Sequence, residues 1–165
     1  VMSDAVVQQI GSSREVHENP RTRFVAEFIG NNNMFQGVVR SRSGSFVFVE
    51  AHGQLFSVKL PSHISHVPIG REAWFSVRAD LMHSGDNPDM ANRIEGRYIA
   101  TEFLGTLETD LFEVAKGRYV RVEQHRHLSD SAYQPGEKET LCWAADSGVL
   151  LRDSIRPEDI LGDAA

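Results

Sequence analysis

The sequence is 165 residues long, with 41% hydrophobic and 24% charged residues, a formal net charge of −6 and one cysteine. This balance is typical of a globular protein of one or two small domains, and no apolar run approaches the ~20 residues of a membrane helix. The acidic charge and scattered arginines argue against nucleic-acid binding, and the lone Cys142 excludes an internal disulfide. The N-terminus lacks a basic segment followed by an apolar one, the pattern of a targeting signal, so we expect a cytoplasmic location.

Two short helices are predicted near the start of the chain. Ser12 and Ser13 can cap the first helix, and Pro20 ends it. The second helix covers residues 22–29, with Thr22 as its N-cap and Gly30 as its C-terminal cap. Its apolar residues share one face of a 3.6-residue period, and we expect that face to pack against the rest of the protein: Phe24, Val25, Phe28 and Ile29.

Beyond Asn33 the hydrophobic period becomes two. Nine short runs rich in β-branched and aromatic residues predict strands at 35–40, 45–50, 54–60, 73–78, 93–99, 110–114, 118–123, 139–144 and 149–152. The gaps between the runs leave no room for crossover helices, so we expect an all-β, antiparallel region built as small barrels or a sandwich.

A weak internal repeat divides this region into two similar halves. The glycines at 37, 53 and 70 correspond to those at 96, 117 and 136, at offsets of 59, 64 and 66 residues. Each copy has the size of an oligonucleotide/oligosaccharide-binding (OB) barrel. A barrel this small buries only ~60% of its unfolded surface, so we expect the copies, at about 34–83 and 92–152, to pack together.

Several motifs resemble those of importer-type ABC transporter ATPases, at the point where the nucleotide-binding domain ends and a regulatory region called TOBE begins. They are QIGS at 9–12, EVHENP at 15–20, FVAEFIG at 24–30 and NMFQG at 33–37. FSVR at 75–78, NRIEG at 92–96, EFLG at 102–105 and PGE at 135–137 are similar to the spermidine/putrescine branch. The resemblance covers nearly the whole chain.

The resemblance implies an organisation and a function. It makes residues 1–33 the last helices of an ATPase domain, 34–152 two tandem OB-like barrels of a TOBE region, and 153–165 a tail. Such a region holds and modulates a dimer of ATPase subunits, so we expect a homodimer through the β-region. The full-length parent would bind ATP and Mg²⁺, act with membrane permeases and a solute-binding protein, and lie on the cytoplasmic face of the inner membrane.

No catalytic machinery is present in the sequence itself. It has no Gly-x-x-x-x-Gly-Lys-Ser/Thr phosphate loop, no apolar strand ending in Asp-Glu and no Leu-Ser-Gly-Gly-Gln-like signature. We therefore expect this chain to be no enzyme and to hold no cofactor or metal of its own.

Three groups of residues are candidate sites. Acidic residues around Gly105 could hold a polyamine by charge pairing, although an exposed acidic loop is the favoured interpretation in a chain of this charge: Glu102, Glu108, Asp110 and Glu113. Glu123, His125 and His127 alternate along one strand and could ligate a metal, although a solvated strand end is the favoured interpretation. Trp74, Trp143, Tyr98 and Tyr119 could stack on a ligand, but their alternation with apolar residues favours a core or interface role.

Two alternatives to the polyamine-importer interpretation stay open. The barrels could be a sensor that binds the transported solute or another effector. The same region could also come from an iron(III), phosphonate or sugar importer, because the transported substrate is chosen largely by partner proteins.

Overall fold

A computed structural model describes residues 1–64, 66–125 and 133–153. A small hairpin comes first, β1 (Met2–Ser3) paired with β2 (Val6–Val7). Two helices follow, α1 (Ser13–Glu18) and α2 (Arg23–Ile29). The rest is β3 (Asn32–Ser43), β4 (Phe46–Ala51), β5 (Gln54–Lys59), β6 (Glu72–Arg78), a 3-10 turn (Ala79–Leu81), β7 (His83–Ser84), β8 (Asn92–Leu104), β9 (Leu107–Ala115), β10 (Arg118–His125), β11 (Lys138–Trp143) and β12 (Gly148–Leu151).

All nine predicted strands are present, which confirms the all-β class. Sequence reasoning missed β1, β2 and β7, because two residues are too short to show a period. The helix caps are also confirmed. Ser12 Oγ accepts a hydrogen bond from the Glu15 amide at 3.2 Å, Thr22 Oγ1 accepts one from the Val25 amide at 3.3 Å, and Gly30 ends α2 with φ of 73°.

The predicted buried face of α2 is wrong in part. Val25 and Ala26 are fully buried, whereas Phe28 is 66% exposed. Phe28 stacks on Phe24 along the outside of the helix, with ring centroids 5.9 Å apart. A seven-residue helix makes only two turns, so turning the whole helix about its axis by the angle of one residue buries a different pair of apolar side chains. The sequence pattern does not fix that rotation.

The first half of the β-region forms a closed barrel in the order β3-β4-β5-β12-β6. Strand β12 closes it, lying parallel to β5 and antiparallel to β6. The second half forms a five-stranded sheet in the order β10-β9-β8-β11-β7. Within each half, three consecutive antiparallel strands are followed by a fourth that pairs with the first.

The two halves exchange their fifth strands. Strand β7 follows β6 in the chain but pairs with β11 of the second sheet, and β12 follows β11 but pairs with β6 of the barrel. The predicted copy at 34–83 therefore lacks β12, which closes its barrel, and the predicted copy at 92–152 lacks β7, which extends its sheet. The exchange joins the halves through backbone hydrogen bonds.

Two buried asparagines reinforce this junction in a symmetric way. The Asn33 side chain exchanges two hydrogen bonds of 2.7 Å with the backbone of Arg121 on β10. Asn92, 59 residues later, does the same with the backbone of Ser57 on β5, at 2.7 and 2.9 Å. Each amide thus acts as an extra strand residue for the other half and supplies hydrogen-bond partners to the backbone of Arg121 or Ser57.

The core runs through both halves. Trp143 of β11 is fully buried and stacks on Phe35 and Phe56 of the barrel, with centroids 5.6 and 5.1 Å apart. Phe35 also stacks on Phe75 at 4.9 Å. Aromatic residues from both halves therefore share one apolar cluster, which places the candidate residues of the second sheet on a rigid support.

Candidate functional site

The structure brings together two of the four predicted acidic residues. Glu108 and Asp110 lie two residues apart on β9, on the face that also carries the fully buried Phe112. Glu113 lies on the opposite face of that strand, where its carboxylate accepts a 2.9 Å hydrogen bond from the Gly117 amide of the hairpin. Glu102 is on β8 and is exposed to solvent. The candidate site is therefore smaller and more buried than an acidic loop.

Asp110 is the centre of a hydrogen-bonded polar network. Its side chain accepts a hydrogen bond from the Thr101 hydroxyl and another, at 2.9 Å, from Nε2 of Gln124. The Thr101 hydroxyl also lies 2.7 Å from that of Tyr98. Asp110 is only 3% exposed, and among the described residues no Lys or Arg forms a salt bridge with it. Burying a carboxylate costs free energy, and the hydrogen bonds from these neutral donors offset that cost.

Comparison of the two halves shows that the carboxylate of Asp110 occupies a place where the barrel has an apolar residue. In the barrel, Val47 of β4 pairs with Arg42 and Val58; in the second sheet, Asp110 pairs with Thr101 and Val122 at the corresponding places. Val47 is fully buried in the apolar core. The fold therefore accepts an aliphatic residue at this place, and the carboxylate is a specific property of the second half.

Tyr133 covers one side of the network. Its ring lies 5.3 Å from that of Tyr98 and 5.7 Å from that of Phe112. Burial raises the pKa of the Tyr133 hydroxyl above 10.0, a hydrogen bond with Ser84 opposes the shift, and the nearby carboxylates of Glu139, Asp110 and Glu137 add to it. The phenol thus stays protonated at neutral pH and can donate a hydrogen bond.

The other candidates separate in space. His127 lies outside the described residues; Glu123 accepts a 2.8 Å hydrogen bond from Asn31, and no group of three or more potential metal ligands occurs in the described part of the chain. The four aromatic residues form no common platform. Trp143 and Tyr98 belong to the core, the Arg23 guanidinium covers the Trp74 ring at 4.0 Å, and Tyr119 is 54% exposed. The core interpretation is confirmed for Trp143 and Tyr98.

Among the described residues, no helix has both the length and the apolar character needed to span a membrane.

Comparison with known proteins places these features in context. A model of the TOBE domain matches residues 75–151. The chain is 28% identical over 159 residues to the putrescine transport ATP-binding protein PotG of Escherichia coli K12, covering 92% of this chain and 41% of PotG. It is 29% identical over 152 residues to the spermidine/putrescine import ATP-binding protein PotA of Trichormus variabilis, covering 91% of this chain and 39% of PotA. The chain therefore spans about two fifths of the length of these curated relatives.

A solved structure confirms the OB-like fold. The cytoplasmic molybdate-binding protein ModG, crystallised with molybdate bound, superposes with a TM-score of 0.63 and covers 72% of this chain and 94% of its own. The two sequences are 17% identical, so this likeness concerns the fold alone.

Proposed function

We propose, from the match of residues 75–151 to a model of the TOBE domain, that the chain is the regulatory region of the ATP-binding subunit of an ABC importer for the polyamines spermidine and putrescine. One observation carries the proposal: more than nine tenths of the chain aligns with ATP-binding subunits named for polyamine transport. In this proposal the chain itself is not catalytic. The rest of the subunit binds ATP and Mg²⁺ and docks on permeases at the cytoplasmic face of the inner membrane.

The proposed role is to hold two ATPase subunits together. Large apolar side chains that are exposed support it, because a two-fold contact between copies can remove several of them from water: Ile10, Phe28, Leu55, Ile69, Phe103 and Tyr119. The closed barrel, and the hydrogen bonds of Asn33 to the backbone of Arg121 on β10, leave few free strand edges. We therefore expect the contact to use side chains rather than strand addition.

Sedimentation velocity tests this role. At tens of micromolar we expect a species of about twice the 18.4 kDa chain mass, which dissociates on dilution. A profile that stays monomeric over this range contradicts the dimerisation role. The assignment to an importer subunit is tested separately, by replacing the matching region of a polyamine-import ATP-binding subunit with this chain and measuring spermidine uptake in cells.

A second candidate function is a sensor in which the Asp110 network binds the amine of a polyamine. The observation that favours it is the buried carboxylate at a place where the barrel carries Val47. The hydroxyl of Tyr98 and the amide of Gln124 would add neutral hydrogen-bonding groups around a cation.

Thermal unfolding with spermidine separates the two functions. A sensor predicts a saturable rise in melting temperature that survives ~0.15 M salt and is lost in Glu108→Gln/Asp110→Asn. The exposed Glu102→Gln serves as the matched control and should keep the rise. A shift that disappears at that salt concentration, or that is equal in both variants, is screened attraction between a polycation and an acidic protein and excludes the sensor.

A further inference from the structure

A cleft of about 710 Å³ lies beside the open end of the barrel, between the end of α1 and the hairpin that joins β3 to β4. Its apolar lining includes Leu60, Ile64 and Val149, and it also contains the hydroxyls of Ser45 and Ser62. This volume lies within the ~300–1,000 Å³ that small-molecule sites in proteins usually have.

The cleft is basic although the chain is acidic. Three of its lining residues are cationic, Arg21, Arg42 and Lys59, and one is acidic, Glu15. Glu15 lies 3.5 Å from Arg21. Within the described ranges, neither Arg42 nor Lys59 forms a salt bridge with a carboxylate. Three cations and one carboxylate leave a net positive charge around the cavity, which attracts anions.

The fold does not require these cations. When the strand pairings of the two halves are compared, Arg42 corresponds to Thr101. In the same way Lys59 corresponds to Glu123, because their cross-strand partners, Phe46 and Thr109, occupy equivalent places. The second sheet therefore carries a neutral and an acidic residue at the two places. Because the same strand pairing forms with either set, the structural role of the strands does not explain the basic side chains.

His63 adds a neutral polar group to the same wall. Burial lowers the pKa of its imidazole, and the charges of Arg152 and Arg21 lower it further. Its Nε2 atom is buried and lacks a hydrogen-bond partner among the described residues. A ligand in the cleft could supply one.

We propose that this cleft binds a small organic polyanion, a molecule that carries two or more phosphate or carboxylate groups on an apolar body. The anionic groups contact Arg42, Lys59 and Arg21, and the body lies against Leu60 and Ile64. This site is separate from the Asp110 network, so it adds an anionic effector to the proposed regulatory region. Phosphate esters and polycarboxylates share the required chemistry.

Isothermal titration calorimetry tests the proposal, with fructose 1,6-bisphosphate, citrate and inorganic phosphate as probes at 0.15 M NaCl. We expect saturable binding of at least one organic probe. Whichever of fructose 1,6-bisphosphate and citrate binds more tightly shows whether the cleft prefers phosphate or carboxylate groups. The affinity should fall at least tenfold in Lys59→Glu and in Arg42→Glu. It should rise in Glu15→Gln, which removes the one acidic side chain of the cleft.

Lys116→Glu is the matched control, because it makes the same charge change at an exposed residue outside the cleft. It should bind as the unmodified chain does, and circular dichroism should show that every variant is folded. Three results overturn the proposal: no saturable binding below about 1 mM, an equal loss in Lys116→Glu, or inorganic phosphate binding as tightly as the organic probes.

Discussion

At the scale of single residues, the buried carboxylate of Asp110 distinguishes the second half of the molecule. A carboxylate that is 3% exposed is stable only while its hydrogen-bond donors remain in place. The same side chain therefore links the stability of the second sheet to a candidate binding function.

Asp110→Ala should lower the free energy of unfolding by about 1–3 kcal/mol, because Thr101 and Gln124 lose their acceptor. Urea denaturation measures this change. Glu102→Ala, at an exposed position on the neighbouring strand, should change it by less than about 0.5 kcal/mol. Equal effects of the two substitutions would show that the network contributes nothing to stability.

His63 makes the stability of the protein depend on pH below 6.5. Its pKa in the folded protein is lowered below 6.5, first by burial and then by Arg152 and Arg21. The unfolded chain therefore binds more protons as the pH falls below 6.5, so stability is full above that value and decreases down to the folded pKa.

We expect the melting temperature to fall between pH 7.5 and 5.5, and to fall less in His63→Gln than in the unmodified chain. His66→Gln, at an exposed neighbouring histidine, should leave the fall unchanged. If His63→Gln shows the full decrease, other groups carry the pH dependence.

At the scale of elements, α2 is held to the barrel by a few specific contacts. The backbone around Thr22 pairs with Arg152 just beyond β12, through hydrogen bonds of 2.9 and 3.1 Å that flank it. Arg23 covers the Trp74 ring of β6, and Val25 and Ala26 are fully buried. The helix is thus part of the packed structure, while its Phe24–Phe28 pair remains on the outside.

Val25→Asp should therefore lower the free energy of unfolding by about 3 kcal/mol or more, since it buries an unpaired charge. Phe28→Asp should change it by less than about 1 kcal/mol in the monomer, because Phe28 is mostly exposed. Thermal or urea unfolding at low protein concentration compares the two. A larger effect of Phe28→Asp than of Val25→Asp would mean that the helix packs by its other face.

At the scale of the whole molecule, the exchanged strands make the two halves one cooperative unit. The barrel is closed by β12 from the end of the described chain, and the second sheet is extended by β7 from the first half. The side-chain hydrogen bonds of Asn33 and Asn92 to the backbone of the opposite half join the halves at two more places. Each half therefore lacks part of its structure when alone.

A protease site inserted between Pro88 and Asp89, in the exposed connection from β7 to β8, tests this cooperativity. After cleavage the two fragments should stay together and unfold in a single transition. Once separated under denaturing conditions, neither should regain cooperative unfolding alone, and mixing them should restore it. Circular dichroism and size-exclusion chromatography follow both steps. A fragment that folds cooperatively by itself would show that strand exchange is not needed for stability.

The sequence by itself determined what depends on near neighbours along the chain. Capping serines and threonines, Pro20, Gly30 and the change from a helical to a two-residue period located both helices and nine strands. The spacing of three glycine pairs revealed the repeat. Each of these signals arises within a few residues, where local sterics and turn chemistry decide the conformation.

Only the tertiary structure decided which strands pair and which side chains meet. Strand β7 has two residues and no period, so nothing in the sequence assigns it to β11 rather than to its own half. The polarity of Glu108 and Asp110 indicated a surface loop, but their register places them on an inward face, where Thr101 and Gln124 reach Asp110. Arg21, Arg42 and Lys59 line one cleft only because the barrel closes, since long-range pairing and packing free energy, not local propensity, bring distant segments together.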